Sequence, residues 1–324
     1  MRAVICRELT GVGGLECVAD WPEPQAAAGE VVVDVKAAAL NFPDLLMIQG
    51  LYQERPPLPF VVGTEMAGVV AAVGEGVTQF APGDRVVAAC GRTLAERVAA
   101  KAALVLPAPA KLSFEQASGI CITYFTTMHA LQQRAQLQAG ETLLVLGAAG
   151  GVGTTAVELG KQMGATVIAA AGSDEKLELT RKLGADHTIN YATEDLRERL
   201  KTITGGRGVD VVYDPVGGAL AEPALRSMAW RGRYLVIGFA GGDIPKIPLN
   251  LPLLKGCSIV GVYWGSFAQR ERDVQRQNVA ELWRLFETGQ LSPAVGETHG
   301  LDDFAAAFEA LSSRRAQGKI VLKP

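Results

Sequence analysis

The chain has 324 residues, 48% of them apolar and 20% charged, with a formal net charge of -3, which is about two domains' worth of chain with ample core. No cluster of Lys and Arg offers a footprint for nucleic acid, the N-terminal stretch is charged too early for a secretory signal, and no run reaches the ~18 apolar residues of a membrane span. A cytoplasmic protein is therefore expected, with neither nucleic acid nor membrane as partner. Cys6, Cys17, Cys90, Cys121 and Cys257 are scattered without a C-x-x-C pair, and His129, His187 and His299 without a neighbouring ligand, so neither a disulfide framework nor a metal site is expected.

From residue 1 to about 120 the chain reads as short β-runs between Gly/Pro turns, among them Val31 to Val35, Ala67 to Val73 and Arg85 to Ala88, with Pro82-Gly83-Asp84 separating the last two. From about 125 to 262 apolar strands alternate with helical stretches, the pattern of βαβ units on a parallel sheet. Six strands are predicted: Leu143 to Leu146, Thr166 to Ala171, His187 to Asn190, Val209 to Tyr213, Arg233 to Ile237 and Ser258 to Val262. Six is the usual number in the doubly wound dinucleotide-binding fold. Gly261 to Phe267 reads as strand and loop. Two amphipathic helices, Asp273 to Glu287 and Asp302 to Leu311, and a closing strand, Lys319 to Leu322, are expected to return to the first domain. The division is thus a β-rich domain of residues 1–122 completed by 265–324, and an α/β domain of residues 123–264.

The segment Gly147-Ala148-Ala149-Gly150-Gly151-Val152-Gly153 joins the first of those strands to a helical stretch, Thr154 to Met163. Ala148 stands where a strict G-x-G-x-x-G has its first glycine, but strand, tight turn and helix is the context in which backbone N–H groups meet a pyrophosphate. Cofactor contacts are expected at Ala149, Gly150, Gly151 and Val152. The second strand ends in Ala171-Gly172-Ser173, with no acid placed to bond the ribose of NADH; Asp174 and Glu175 suit the first turn of the next helix. Lys176, one turn on, suits a 2′-phosphate, so NADPH is expected, although the same lysine also fits a solvated helix face.

Three blocks stand out together: Asn41-Phe42-Pro43-Asp44 through Gly50-Leu51-Tyr52, Pro59 to Gly68 and Pro82 to Val86; the phosphate loop; and Asp214-Pro215-Val216-Gly217-Gly218 with Val236-Ile237-Gly238-Phe239. In this order and spacing they resemble the zinc-independent quinone oxidoreductase branch of the medium-chain dehydrogenase/reductase superfamily. The resemblance implies a GroES-like β-rich catalytic domain with a Rossmann domain of six parallel strands, an active site in the cleft between them, and a homodimer joined through the last Rossmann strand. The zinc-dependent relatives carry a cysteine where this chain has Asn41 and a histidine where it has Thr64, so no metal is implied. Lys176, Tyr191 and Arg314 match the family's 2′-phosphate ligands, Arg315 being the alternative to Arg314. Gly172 and Ser173 lie beside them. Thr123, Thr127, Gly238, Phe239 and Val262 match its nicotinamide pocket, Thr123 being equally suited to bonding its own helix.

Without a Lewis acid an alkoxide from an unactivated alcohol is hard to stabilise. A quinone, or an alkene conjugated to a carbonyl, carries its own electron sink, so hydride addition needs positioning and hydrogen bonding to an enolate-like oxygen. Asn41, Tyr52 and Thr64 are the catalytic candidates, with Asp44 orienting the loop. Quinones are the first reading and enones, acrylate or acrylyl-CoA the second. An anionic substrate would need a cation, for which Arg55, Lys255, Arg270 and Arg272 are available. A non-catalytic, crystallin-like NADPH- or RNA-binding protein is the reading from another class, and the acidic net charge weighs against RNA.

Overall fold

The Gly/Pro-punctuated runs of the N-terminal third fold as strands, in a computed structural model that describes residues 1–324. They are β1 (Ala3–Cys6), β2 (Leu15–Val18), β3 (Glu30–Ala39), β4 (Phe60–Val61), β5 (Glu65–Val73), β6 (Arg85–Ala89), β7 (Arg97–Lys101) and β8 (Val105–Pro107). Short helices α1 (Phe42–Ile48) and α2 (Phe114–Ser118) interrupt them, and α3 (Ile120–Met128) leads out. Asn41 closes a capping box on Asp44, with a proline in the first turn of α1, a combination that starts a helix despite its short apolar run.

Next come β9 (Thr142–Leu146), α4 (Gly151–Gln162), β10 (Thr166–Ala171), α5 (Asp174–Lys182), β11 (His187–Asn190), α6 (Leu196–Ile203), β12 (Val209–Asp214), α7 (Ala221–Arg226), β13 (Met228–Val236), α8 (Asn250–Lys255) and β14 (Ser258–Gly261). Their strands form one parallel sheet in the order β11-β10-β9-β12-β13-β14, which is 3-2-1-4-5-6 in order of appearance and so the doubly wound Rossmann arrangement. All six expected strands are present, within a few residues of the expected ends. Strands β9 and β10 are buried on both faces, which explains their unbroken apolar runs. Helices α9 (Trp264–Arg270) and α10 (Arg272–Thr288) follow, then β15 (Val295–Gly300), α11 (Phe304–Ser312) and β16 (Lys319–Lys323).

The chain divides into two units, Met1–Ile122 with Ser292–Pro324, and Thr123–Leu291. In the first, β15, β16, β3, β5, β6 and β8 form a largely antiparallel sheet with β7 on β3, and β2-β1-β4 form a smaller one. This is the GroES-like architecture expected. Its core gathers Val33, Val35, Met66, Val86 and Leu94 with Phe308, Ile320 and Leu322 from the returning segment.

The return comes later than the sequence pattern implied, at Ser292 rather than at 265. Residues 265–291 stay with the Rossmann unit because aromatic side chains hold them there. Phe125 lies 5.7 Å from Trp264 and 6.0 Å from Trp283, Tyr124 meets Phe286 edge-on at 5.0 Å, and His129 stacks on Phe267 at 3.8 Å. Gln133 and Asn278 exchange two hydrogen bonds, at 2.9 and 3.0 Å. Past α3 the helix widens into a π-turn over His129–Arg134, where the Ala135 N–H reaches back to the Ala130 carbonyl. Gly261 to Phe267 is also not strand and loop throughout, because the chain enters α9 at Trp264 and buries Phe267.

Truncating Phe286, which is fully buried in this cluster, is expected to cost about 3–5 kcal/mol. Urea unfolding of Phe286→Ala followed by tryptophan fluorescence checks this, and an unchanged midpoint would contradict the assignment of α10 to the Rossmann unit.

Candidate functional site

In the Rossmann unit the strand-to-helix turn is built for close approach. Gly147 sits at φ 57°, and a Cβ on Gly153 would lie 2.3 Å from the Gly147 carbonyl oxygen, so only glycine fits there. The helix itself starts at Gly151, three residues earlier than the sequence pattern indicated. Its N-cap, Gly150, has no side chain to bond the first turn, and the first backbone bond inside it is Thr154 N–H to Gly150 at 2.9 Å. The N–H groups of Gly151, Val152 and Gly153 are therefore left for an anion, where the helix dipole also favours one.

At the end of β10, Ser173 caps α5, its Oγ accepting from the Lys176 N–H at 3.4 Å. Asp174 and Glu175 occupy that first turn, and Asp174 also accepts from the Asn190 amide at 3.0 Å. The Tyr191 ring lies against Gly172, where an added Cβ would be 3.2 Å from Cε2. Gly172, Ser173, Lys176 and Tyr191 thus gather at the carboxyl ends of β10 and β11. Burial pulls the Lys176 ammonium below its usual range, against an opposing effect of Glu175, so a dianion there would relieve an electrostatic cost.

Asp214, at the end of β12, shapes the next loop. Its Oδ1 accepts from the Val216 and Gly217 N–H groups at 2.8 and 2.9 Å, and its Oδ2 accepts from the Tyr234 hydroxyl. Gly238 and Phe239 follow on a ladder in which Ala240 and Gly241 donate to Pro215 and Val216 at 3.0 and 2.7 Å. The Val262 N–H reaches Val236 at 3.1 Å. Thr123 and Thr127 are buried, and the Thr127 hydroxyl is shared between Thr155 Oγ1 at 2.7 Å and the Tyr213 hydroxyl at 2.9 Å.

The first unit holds a buried polar cluster. Lys319 Nζ donates to the Leu40 carbonyl at 2.7 Å, to Asn41 Oδ1 at 2.7 Å and to Glu65 Oε1 at 3.0 Å. Asn41 Nδ2 donates to Glu65 Oε1 at 2.8 Å, with longer contacts to Thr64 Oγ1 at 3.4 Å and the Ala39 carbonyl at 3.5 Å. Glu65 Oε2 accepts from the Ile122 N–H at 3.0 Å. Asp44 Oδ2 accepts from the Asn41 N–H at 2.8 Å and from the Thr64 hydroxyl at 3.2 Å. Asn41, Asp44, Glu65 and Lys319 are all buried. Of the expected catalytic residues, Asn41 and Thr64 come together here, while Tyr52 lies half-buried in the irregular segment after α1. Arg314, left-handed at φ 57°, is exposed in the turn before β16, and Arg315 is tied to Glu309 at 3.2 Å.

Lys319 and Glu65 were not singled out from the sequence as site residues. The available signal was a lysine opening an otherwise apolar strand, Ile320-Val321-Leu322.

Two family descriptions match the chain, the alcohol dehydrogenase GroES-like domain over residues 27–132 and the zinc-binding dehydrogenase over residues 151–287. The bovine quinone oxidoreductase-like protein 2 is 38% identical over 324 residues, covering 99% of this chain and 92% of its own length. The crystal structure of Escherichia coli quinone oxidoreductase complexed with NADPH superposes with a TM-score of 0.91 at 33% identity, covering 100% of both chains. That of CurK enoyl reductase does so with a TM-score of 0.89 at 27% identity, covering 99% of this chain and 98% of its own. The chain belongs to the quinone oxidoreductase family of the medium-chain dehydrogenase/reductase superfamily.

A zinc ion, which the second family description names, does not fit the cluster. An amide and a hydroxyl stand at Asn41 and Thr64, and an ammonium already occupies the Glu65 carboxylate. No three His, Cys, Asp or Glu side chains gather elsewhere as a metal would need. No helix is long and apolar enough to cross a membrane.

Burial, opposed by the Asn41 N–H, the Thr64 hydroxyl and the Lys319 ammonium and reinforced by Glu65, pushes the Asp44 carboxyl up to about 7. Its folded value lies above that of the unfolded chain, ~4. The stability it contributes is fully present below ~4 and is lost as pH rises through about 7. Asp44→Asn, which cannot ionise, should therefore gain on the unmutated protein as pH rises from ~5 to ~8. Urea unfolding across that range reads the difference, and parallel pH profiles for the two proteins would refute it.

Proposed function

We propose that this protein is an NADPH-dependent oxidoreductase that delivers hydride to a quinone without a metal. The carrying observation is the cluster at Asn41, Thr64 and Glu65, in which an amide and a hydroxyl stand at two positions and the Glu65 carboxylate and Asn41 Oδ1 are taken by the Lys319 ammonium. A substrate that carries its own electron sink suits such a site.

The helix N-terminus at Gly151 to Gly153 holds the pyrophosphate, with Ala149 and Gly150 forming the approach. Ser173, Lys176 and Tyr191 take the 2′-phosphate, joined by Arg314. Thr123, Thr127, Gly238, Phe239 and Val262 shape the nicotinamide pocket, Thr127 by fixing the packing around it. When bound, NADPH supplies the hydride. Asn41 turns an N–H toward the substrate oxygen that becomes negative, since Nδ2 has one short bond and otherwise only contacts of 3.4 Å and more. Glu65 and Lys319 hold that amide in place, Asp44 fixes the Asn41 backbone N–H and the Thr64 hydroxyl beside it, and Tyr52 lines the substrate side. The second reading, reduction of an activated C=C bond, is favoured by the likeness to an enoyl reductase.

A homodimer through β14 is part of the proposal. That strand ends the parallel sheet with an open edge, and Ile259, Leu249, Leu253, Leu254, Ile244 and Trp230 expose 42 to 80% of their surface, features that a second copy would cover. The five unpaired cysteines suit a reducing compartment such as the cytoplasm.

Lys176→Ala is expected to weaken NADPH binding about 10–100-fold, the worth of a charge-assisted bond, while leaving NADH affinity unchanged. Fluorescence titration measures both, and equal affinities in the unmutated protein would sink the cofactor assignment. NADPH oxidation with 1,4-benzoquinone, an α,β-unsaturated ketone, acrylate and acrylyl-CoA, ranked by kcat/KM, separates the two substrate readings. Stoichiometric NADPH binding with no turnover on any of them would reduce the protein to a binding module. For the dimer, light scattering should give twice the chain mass of 34.1 kDa, and Ile259→Asp should release monomer. A monomeric unmutated protein contradicts that assembly.

A further inference from the structure

We propose that Lys319 is a positioning residue for hydride acceptance, acting through Asn41, and that its ammonium does part of the work a metal cation does in zinc-dependent relatives. The inference rests on the reading that Asn41 meets the substrate oxygen.

An asparagine amide has two nearly equivalent orientations, and the bonding network decides between them. Here the choice is forced from both sides. The Lys319 ammonium has donors only, so Asn41 must present Oδ1 to it, and the Glu65 carboxylate has acceptors only, so Asn41 must present Nδ2 to it. The reverse orientation would set N–H against ammonium and carbonyl against carboxylate. With Oδ1 locked at 2.7 Å, the second Nδ2 proton is left with nothing closer than 3.4 Å. Among the cluster's side-chain N–H groups it is the one not already spent on a short bond.

The ammonium also polarises the amide. A cation on a carbonyl oxygen draws electron density from the conjugated nitrogen and makes its N–H a stronger donor. In this buried setting the field of the charge is little screened. As hydride reaches the substrate carbon, negative charge grows on the substrate oxygen, and a strengthened Nδ2 donor meets it. No proton needs to leave Lys319 for this.

The fold is shaped to deliver that ammonium. Lys319 opens strand β16, and its aliphatic stem passes Gly119, where a Cβ would lie 2.9 Å from both Cγ and Cε and 3.3 Å from Cδ. Only a glycine leaves that path open. At the far end, the Leu40 carbonyl takes a third ammonium proton at 2.7 Å, so the charge is held without slack.

The test uses the full-length protein with NADPH and its best quinone. Lys319→Met alone leaves Glu65 unpaired, so it is combined with Glu65→Gln, which removes both charges and preserves the fold, as the melting temperature will report. Expected are an unchanged NADPH dissociation constant and a kcat reduced by about 10–100-fold, the range for weakening a donor to a developing oxyanion. Lys319→Arg, which keeps a cation in the slot, should recover activity over the Met variant. Gly119→Ala, which displaces the stem but changes no functional group, should lower kcat without altering NADPH binding. In an Asn41→Ala background the paired change at Lys319 and Glu65 should cost less than about threefold more, because the relay is already broken.

Equal losses in both backgrounds would make Lys319 a structural prop and overturn the proposal. So would an active protein whose kcat ignores Lys319, an outcome that leaves the proposed function standing. If the unmutated protein reduces nothing in the substrate panel, the proposed function falls and the catalytic part of the relay falls with it.

Discussion

A single ammonium, buried among the Leu40 carbonyl, the Asn41 amide and the Glu65 carboxylate, ties together three distant parts of the chain. A buried charge left alone is costly, and removing one partner of such a pair strands the other. The end of β3, the start of β5 and the last strand must therefore arrive together or not at all. That requirement explains why the C-terminal segment returns to the first unit. Its strand completes the sheet beside β3, and its lysine completes the polar cluster.

Glu65 extends the same constraint. One carboxylate oxygen holds Lys319 and Asn41, and the other takes the Ile122 N–H in α3, the last residue of the first unit before the chain crosses into the Rossmann unit. Asp44 is placed alongside with one oxygen bonded twice and the other, Oδ1, buried without a partner. Such a carboxyl pays for its burial only partly through hydrogen bonds, and its raised pKa follows. The cluster is thus densely bonded yet carries an unpartnered buried carboxylate oxygen, an arrangement that suits the proposed positioning of one amide against developing charge.

The Rossmann unit solves a different problem, keeping backbone N–H groups open. Gly147, Gly150 and Gly153 do so by absence, one through its φ of 57°, one by lacking a capping side chain and one by letting the turn close on itself. At the end of β10 the means are side chains, with Ser173 spent on the cap of α5 and Lys176 carried one turn along the same helix. In the proposed reading, Lys176 and its neighbours add a 2′-phosphate preference to a generic pyrophosphate loop.

Local chemistry made much of this legible in the amino-acid order. The parallel strands, the phosphate turn and the acid-free end of β10 depend on near neighbours in the chain, through period, turn residues and helix caps, whereas the exchanged residues at Asn41 and Thr64 are legible only through the resemblance to zinc-dependent relatives. What tertiary structure decided depends on contacts between distant residues. The aromatic packing of Trp264, Trp283 and Phe286 on Tyr124 and Phe125 kept residues 265–291 with the Rossmann unit, against the expectation that they return to the first domain. The meeting of Lys319 with Asn41 and Glu65 spans more than 250 positions. No pattern of local propensity reports such a contact, because its energy exists only once both strands are in the sheet.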